Sequence, residues 1–286
     1  MTDRRLTPFN GRVAHVSLKG QVEAERFVEG ESHRVARPIA DLLTKPKGAR
    51  DRQLLRGAVF QVLDLHENWL YGFAARDGYV GWIDAVDLVG MPKDAETHRI
   101  ASARSYGKST PGLKPMGQIT PLSLGTRLAV LEEMDGWSRV AWLRGLVPRD
   151  LYVPAQHLAP VDQPETDPVT VAERLLGTPY LWGGNSSQGI DCSGLVQIAL
   201  HACGRDCPGD SDMQEAMGQA LPPGTAPERG DLMFWKGHVA WVADSETLIH
   251  ANAFHMAVAY EPIKSAIARI KAQGDGAVTR HARLTP

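Results

Sequence analysis

From Val169 onward the apolar positions change period along the chain. Val169 to Leu176 carries helical spacing and stops at Gly177, ahead of Pro179. Leu195, Val196, Ile198, Ala199 and Leu200 predict a second helix from Cys192 to about Ala202, with Gly204 past its end. Asp210-Ser211-Asp212 precedes a short capped helix over Met213 to Ala220. After the Pro222-Pro223-Gly224 turn the apolar runs shorten and read as strands: Asp231 to Trp235, His238 to Ala243, Thr247 to His250 and Ala257 to Glu261. Helices first and strands second is an α+β order with antiparallel neighbours.

Upstream, apolar and polar residues alternate in a pattern that occurs twice. Leu55-Arg56-Gly57, Phe60 to Asp64 and Trp69 are echoed by Leu124-Gly125, Leu128 to Glu132 and Trp137. His33-Arg34-Val35-Ala36 and His98-Arg99-Ile100-Ala101 stand ahead of the two copies. Each copy breaks at a polar turn and resumes its alternation, as short strands and hairpins do. A period of about 65 residues is too long for a solenoid and fits two tandem small β-barrels. The first copy closes with Gly78-Tyr79-Val80-Gly81-Trp82-Ile83. The second has Pro154 and Ala155 where Gly-Trp would fall, and is the divergent one. Trp69, Trp82, Trp137 and Trp142 are expected to fill the barrel cores.

The expected organisation is therefore multidomain: an N-terminal segment (1–33), all-β barrels over 34–92 and 97–160, a linker (161–168) and an α+β domain (169–286). Prolines 154, 160, 164 and 168 among Asp and Glu make the linker semi-rigid and solvent-exposed. Within 1–33, Val13 to Leu18 predicts a short strand and Gln21 to Val28 a helical turn.

A length of 286 residues suits two or three domains, each with its own core. The net charge of −2 gives no electrostatic case for nucleic acid or an anionic membrane. No apolar run approaches a membrane span, and no apolar stretch follows the basic residues at the amino terminus. Three cysteines are too few for a disulfide framework, so a reducing, cytoplasmic location is the expectation.

The chemistry concentrates at Cys192. A glycine-dense approach, Thr178-Pro179-Tyr180-Leu181-Trp182-Gly183-Gly184, leads to Asp191-Cys192-Ser193-Gly194 at the start of a helix. There unpaired backbone N–H groups and the macrodipole favour thiolate over thiol. A cysteine in an apolar helix is otherwise a small buried hydrophobe. A nucleophile needs a base, and the base needs an orienter. His238 opens one downstream strand and His250 closes the next, twelve residues later, which suits neighbouring positions on a hairpin. Cys192 is thus the expected nucleophile, His238 the base and leaving-group acid, His250 the orienter. Cys203 and Cys207 with His201 are a weak metal motif without a second ligand cluster. No metal and no cofactor are expected.

This order of motifs resembles the NlpC/P60 family of cysteine peptidases, a permuted papain-like fold in which the nucleophile helix precedes the sheet. Arg229-Gly230-Asp231-Leu232 between helices and histidines adds to the likeness, which covers 170–262. The upstream Leu-x-x-Gly, Trp and Gly-Tyr-Val-Gly-Trp pattern is similar to bacterial SH3 domains. The combination resembles γ-D-glutamyl-L-diamino acid endopeptidases. The resemblance implies Cys192, His238 and His250 as a triad, with the Tyr180 hydroxyl and the Cys192 backbone N–H at the oxyanion. It implies cleavage of peptidoglycan stem peptides, with a free murein peptide, L-Ala-γ-D-Glu-diamino acid, as partner. Asp191 would hold the substrate ammonium and Tyr79 would wall its pocket. Ser193, Ser211 and Asp210 would bind the γ-D-Glu carboxylate, with Trp182 among the substrate contacts. One departure stands out. Ala58 occupies a position where relatives often carry an acid that holds the amine, with Asp64 or Glu67 as substitutes. An amidase or acyltransferase with the same triad, or a murein-binding protein, are the alternative readings.

Overall fold

A computed structural model describes residues 3–115, 117–144 and 147–285, with the side chains of 143, 144, 147 and 148 left aside. The chain divides into two compact units, Met1–Gln163 and Pro164–Pro286.

In the first unit a seven-stranded antiparallel sheet is laid out in the order Arg50–Leu55, Ile39–Leu43, Val80–Asp84, Trp69–Ala74, Val59–His66, Glu31–Val35 and Leu88–Gly90. Strand alternation turns Leu63, Tyr71 and Val80 inward around Val13. Trp82 packs against this core half-buried, and Trp69 is half-buried too, so neither fills it as the sequence suggested. The segment before residue 31 is tied down. Val13–His15 pairs in parallel with Arg26–Val28, where a helical turn was expected. The buried Asp64 carboxylate explains the difference: it accepts from Asn10, Arg12 and Arg26 at 2.6 to 3.0 Å, drawing both strands onto the sheet.

The second half of this unit has a five-stranded sheet and a three-stranded one. Ile100, Leu122, Leu128, Val140, Trp142, Leu151 and Val153 form its core. The sequence repeat recurs in the backbone hydrogen bonds. Gly57 and Gly125 both adopt the left-handed conformation that glycine tolerates, at φ 90 and 87°. Gly57 N donates to the Val35 carbonyl at 3.1 Å, and Gly125 N to that of Ile100 at 2.9 Å. Each half also ends in one 3-10 turn, Ala85–Asp87 and Ala155–His157.

The second unit begins inside the proline-rich stretch. Glu165 is not free linker: its N–H donates to the Ala202 carbonyl at 2.9 Å and its carboxylate holds Arg174 at 2.7 Å. Helix α1 (Pro168–Glu173) follows its Asp167 cap, then α2 (Cys192–Ala202) and the short α3 (Ser211–Gln214). A six-stranded antiparallel sheet is ordered Gln219–Ala220, Arg280–Arg283, Asp231–Trp235, His238–Val242, Thr247–Asn252 and Ala257–Pro262. Helix α2 is buried on nearly all sides and packs on the strands His238–Val242 and Thr247–Asn252. The other face is covered by α4 (Ile263–Gln273), whose Ile263, Ala266 and Ile270 meet Met233, Trp235, Ala240, Val242 and Leu248. Among the described residues no helix is long and apolar enough to cross a membrane.

Candidate active site

Asp191 starts the site by capping α2. Its Oδ1 accepts from Gly194 N at 2.7 Å and from Ser193 Oγ at 3.0 Å, while Oδ2 accepts from Gly183 N at 2.9 Å. One carboxylate thus ties the helix start to the glycine-rich approach and leaves Cys192 on the first turn. Gly194 is required there, because a Cβ would lie 2.5 Å from the Gly184 carbonyl. Cys192 is 7% exposed.

The two histidines are held on the sheet. Trp241 lies opposite Ile249, so alternation puts His238 and His250 on one face as diagonal neighbours. His238 Nε2 is 2.8 Å from His250 Nδ1, and His250 Nε2 is 3.0 Å from Glu261 Oε2. Glu261 is in turn clamped by Arg269, Nε to Oε1 at 2.9 Å and Nη2 to Oε2 at 2.7 Å. Phe254 lies against the Arg269 guanidinium, 4.6 Å from ring centre to carbon. A carboxylate only accepts, so His250 carries its proton on Nε2 and accepts at Nδ1 from His238 Nε2–H. That leaves the lone pair of His238 on Nδ1. The thiol sits at the start of the same strand, with the backbone N–H groups of Val239, Ser193 and Cys192 directed at it.

Electrostatics depart from the sequence expectation of a ready-made thiolate. Burial first, and the Asp191 charge second, push the Cys192 thiol up to about 12, outweighing the N–H groups around it. Burial, helped by the neighbouring His250, pushes His238 down to about 3. Burial also lowers His250, with Glu261 acting against it. For Glu261 burial acts upward, but the bonds from Arg269 and His250 win and hold it at about 2. The resting pair is therefore neutral thiol and neutral imidazole beside a permanently ionised carboxylate.

The remaining expected site residues divide. Tyr180 is half-buried; burial first, then its neighbours Cys192 and Asp191, raise its hydroxyl pKa. Trp182 is 72% exposed. Ser193 is buried, its hydroxyl turned back to Asp191 and its carbonyl accepting from Gln214 Nε2 at 3.0 Å. Ser211 is the first residue of α3, and Asp210 caps it through its carbonyl. Tyr79 is 2% exposed with the Arg52 guanidinium 4.9 Å over its ring, so it is a buried residue of the first unit. Asp64 cannot stand in for an acid at Ala58, since its carboxylate is taken up by Arg12 and Arg26. Glu67 sits in a turn at φ 53° and is exposed. Cys203, Cys207 and His201 form no metal-ligand group; among the described residues His250, His255 and Glu261 do lie within 4.8 Å, but two of them are occupied with each other.

Glu261 and Arg269 were not singled out from the sequence. The signal was weak but present: Glu261 is an acid within an apolar run, two residues beyond Ala259, the partner of His250.

A cysteine at a helix start, its thiol at the backbone N–H that follows His238, and a histidine pair relayed to a carboxylate are the parts of a thiol-nucleophile site for acyl transfer. Comparison with known proteins places it more narrowly. Residues 177–273 match the NlpC/P60 family, and residues 42–88 match the bacterial dipeptidyl-peptidase Sh3 domain. This chain therefore carries an NlpC/P60 cysteine-peptidase-family domain behind a bacterial SH3 domain. Protein P54 of Enterococcus faecium is 38% identical over 89 residues, 29% of this chain and 17% of that protein. A γ-D-glutamyl-L-lysine dipeptidyl-peptidase of Bacillus subtilis is 28% identical over 163 residues, 55% of this chain and 52% of that protein. The chain thus spans about half or less of these relatives. An NlpC/P60 family protein of Bacillus cereus has a similar fold, with a TM-score of 0.75 at 20% identity over 90% of this chain and all of the other.

Proposed function

We propose that the chain is a cysteine endopeptidase that hydrolyses the γ-D-glutamyl–diamino acid bond of peptidoglycan stem peptides. Its substrates are free murein peptides with an N-terminal L-Ala, met in the cytoplasm during wall recycling. The observation that carries this reading is the hydrogen-bonded line His238–His250–Glu261, together with a capped, buried Cys192 whose thiol meets the backbone N–H of Val239, the residue after His238. The match to a dipeptidyl-peptidase Sh3 domain, and the relative's name, support the choice of bond. The backbone bonds common to both halves of the first unit support a second, diverged SH3 barrel over 97–160. The helix-before-sheet order supports a permuted papain-like arrangement.

In this mechanism His238 Nδ1 takes the thiol proton as Sγ attacks the γ-D-Glu carbonyl carbon. Proton and electron pair move together, since neither group is charged at rest. The Cys192 N–H and the Tyr180 hydroxyl receive the oxyanion, and one such donor is worth ~3 kcal/mol. His238 then returns the proton to the departing amine, leaving a thioester on Cys192. Water, deprotonated by His238, attacks the thioester, releases L-Ala-γ-D-Glu and restores the thiol. Asp191, though a helix cap, retains acceptor capacity on its carboxylate for a substrate ammonium. The experiment is incubation with L-Ala-γ-D-Glu-diaminopimelate and its N-acetylated form, read by mass spectrometry. Cleavage of the free peptide alone is expected; equal cleavage of both removes the amine requirement, and no cleavage removes the peptidase reading.

A further inference from the structure

Where the two halves of Met1–Gln163 meet, Arg127 N donates to the Arg56 carbonyl at 3.2 Å, and a cavity of about 330 Å³ opens beside that bond. That is near the lower end of small-ligand sites. Its walls combine apolar and cationic side chains: Leu128, Ala129 and Leu131 line it together with Arg34, Arg56 and Arg127.

The cationic side is under-compensated. Among the described lining residues five are Arg or Lys and three are Asp or Glu, and one of those acids, Asp150, is held at 2.8 Å by Arg139 outside the cavity. Glu96 pairs with Arg34 at 2.5 Å. Arg34 Nε is nevertheless buried with no hydrogen-bond acceptor among the described residues. Arg56 lies over Trp142, 3.8 Å from its ring centre, and donates to the Ala36 carbonyl. Burial, abetted by Arg34 and opposed by Glu96, pushes its guanidinium down to about 10. An excess of one sign of charge in a concave site with low-dielectric walls focuses its field on whatever enters.

We propose that this cavity binds a small molecule bearing a phosphate or carboxylate group, its anionic end among Arg34, Arg56 and Arg127 and its apolar body against Leu128, Ala129 and Leu131. Planar guanidinium groups suit either oxyanion. Its described lining lies wholly within Met1–Gln163, so binding there does not rest on the peptidase reading. Isothermal titration of the full chain with inorganic phosphate, phenyl phosphate and benzoate tests it and separates phosphate from carboxylate chemistry. Saturable one-to-one binding is expected, tighter for phenyl phosphate than for phosphate and weaker at higher salt. Arg127→Gln should weaken it roughly tenfold, and Glu96→Gln should tighten it by removing the opposing charge. Leu131→Glu, at a position 42% exposed, puts a like charge at the mouth with little demand on folding and should weaken it comparably. Absence of saturable binding for all three probes overturns the proposal, as does binding that Arg127→Gln and Leu131→Glu leave unchanged.

Discussion

His250 Nε2 and Glu261 Oε2 are 3.0 Å apart, and that contact decides where the proton sits on two consecutive rings. With Glu261 ionised, Nε2 of His250 must donate, and the lone pair of His238 is displaced to Nδ1. Glu261→Gln lets an amide N–H face His250 instead and favours the opposite tautomer. We expect kcat to fall by about 10² or more, as wrong-tautomer variants of catalytic triads do, with KM little changed. An unaltered kcat would show that the carboxylate only supports the fold.

The low His238 and His250 pKa values set the acid limb. A neutral imidazole is needed as base, and burial keeps His238 neutral well below the ordinary value of about 6.5. The kcat/KM profile should therefore stay flat through pH 6.5 and decline only at lower pH. A limb centred at 6.5 would mean that the ring is solvated in the working enzyme.

Cys192 should behave as a thiol rather than a thiolate in the free protein. Its alkylation by iodoacetamide is expected to keep rising with pH past the ordinary cysteine value of about 8.5. Alkylation that levels off near neutrality would contradict the raised pKa. Such a plateau would restore the preformed ion pair that the helix position alone suggests.

The Arg229-Gly230-Asp231-Leu232 motif is structural in the fold. Asp231, 1% exposed, accepts from Arg283 Nε at 2.7 Å and His281 Nε2 at 2.8 Å, and Arg229 spans Asp167 and Glu173 of the α1 region. Asp231→Ala leaves the Glu228 N–H and His281 without their buried acceptor and should lower the midpoint of chemical unfolding. Burial raises the Asp231 pKa, but Arg283, the Glu228 N–H and His281 outweigh it, so the folded value is lowered. Its contribution is accordingly complete above about pH 3.9 and is lost as pH falls through the lower folded value. A variant as stable as the parent at neutral pH would show the cluster to be neutral overall.

Much of this arrangement could be read from the chain because it is local. Asp-Cys-Ser-Gly names its own cap, and Gly204, at φ 72°, ends the helix it was expected to end. The histidines lie on strands whose apolar alternation is plain. What escaped is set by long-range pairing. Residues Arg26–Val28 became a strand because Val13–His15 offered an edge and Asp64 a counter-charge, neither visible in a short window. Glu261 joins the site through strand register, and Arg269 through a helix beyond it. The thiol follows a related logic: the helix start favours ionisation, but the depth of burial is a property of the whole packed unit. Tyr79 shows the same limit, since an aromatic just ahead of a strand gives no sign of whether it will be open or 2% exposed.

The most direct measurement is intact-protein mass spectrometry of rapidly quenched mixtures with L-Ala-γ-D-Glu-diaminopimelate. The account predicts a transient adduct with the mass of an L-Ala-γ-D-Glu acyl group, mapped by digestion to the peptide containing Cys192 and missing in Cys192→Ala. Release of L-Ala-γ-D-Glu by the Cys192→Ala protein at the parental rate would contradict it.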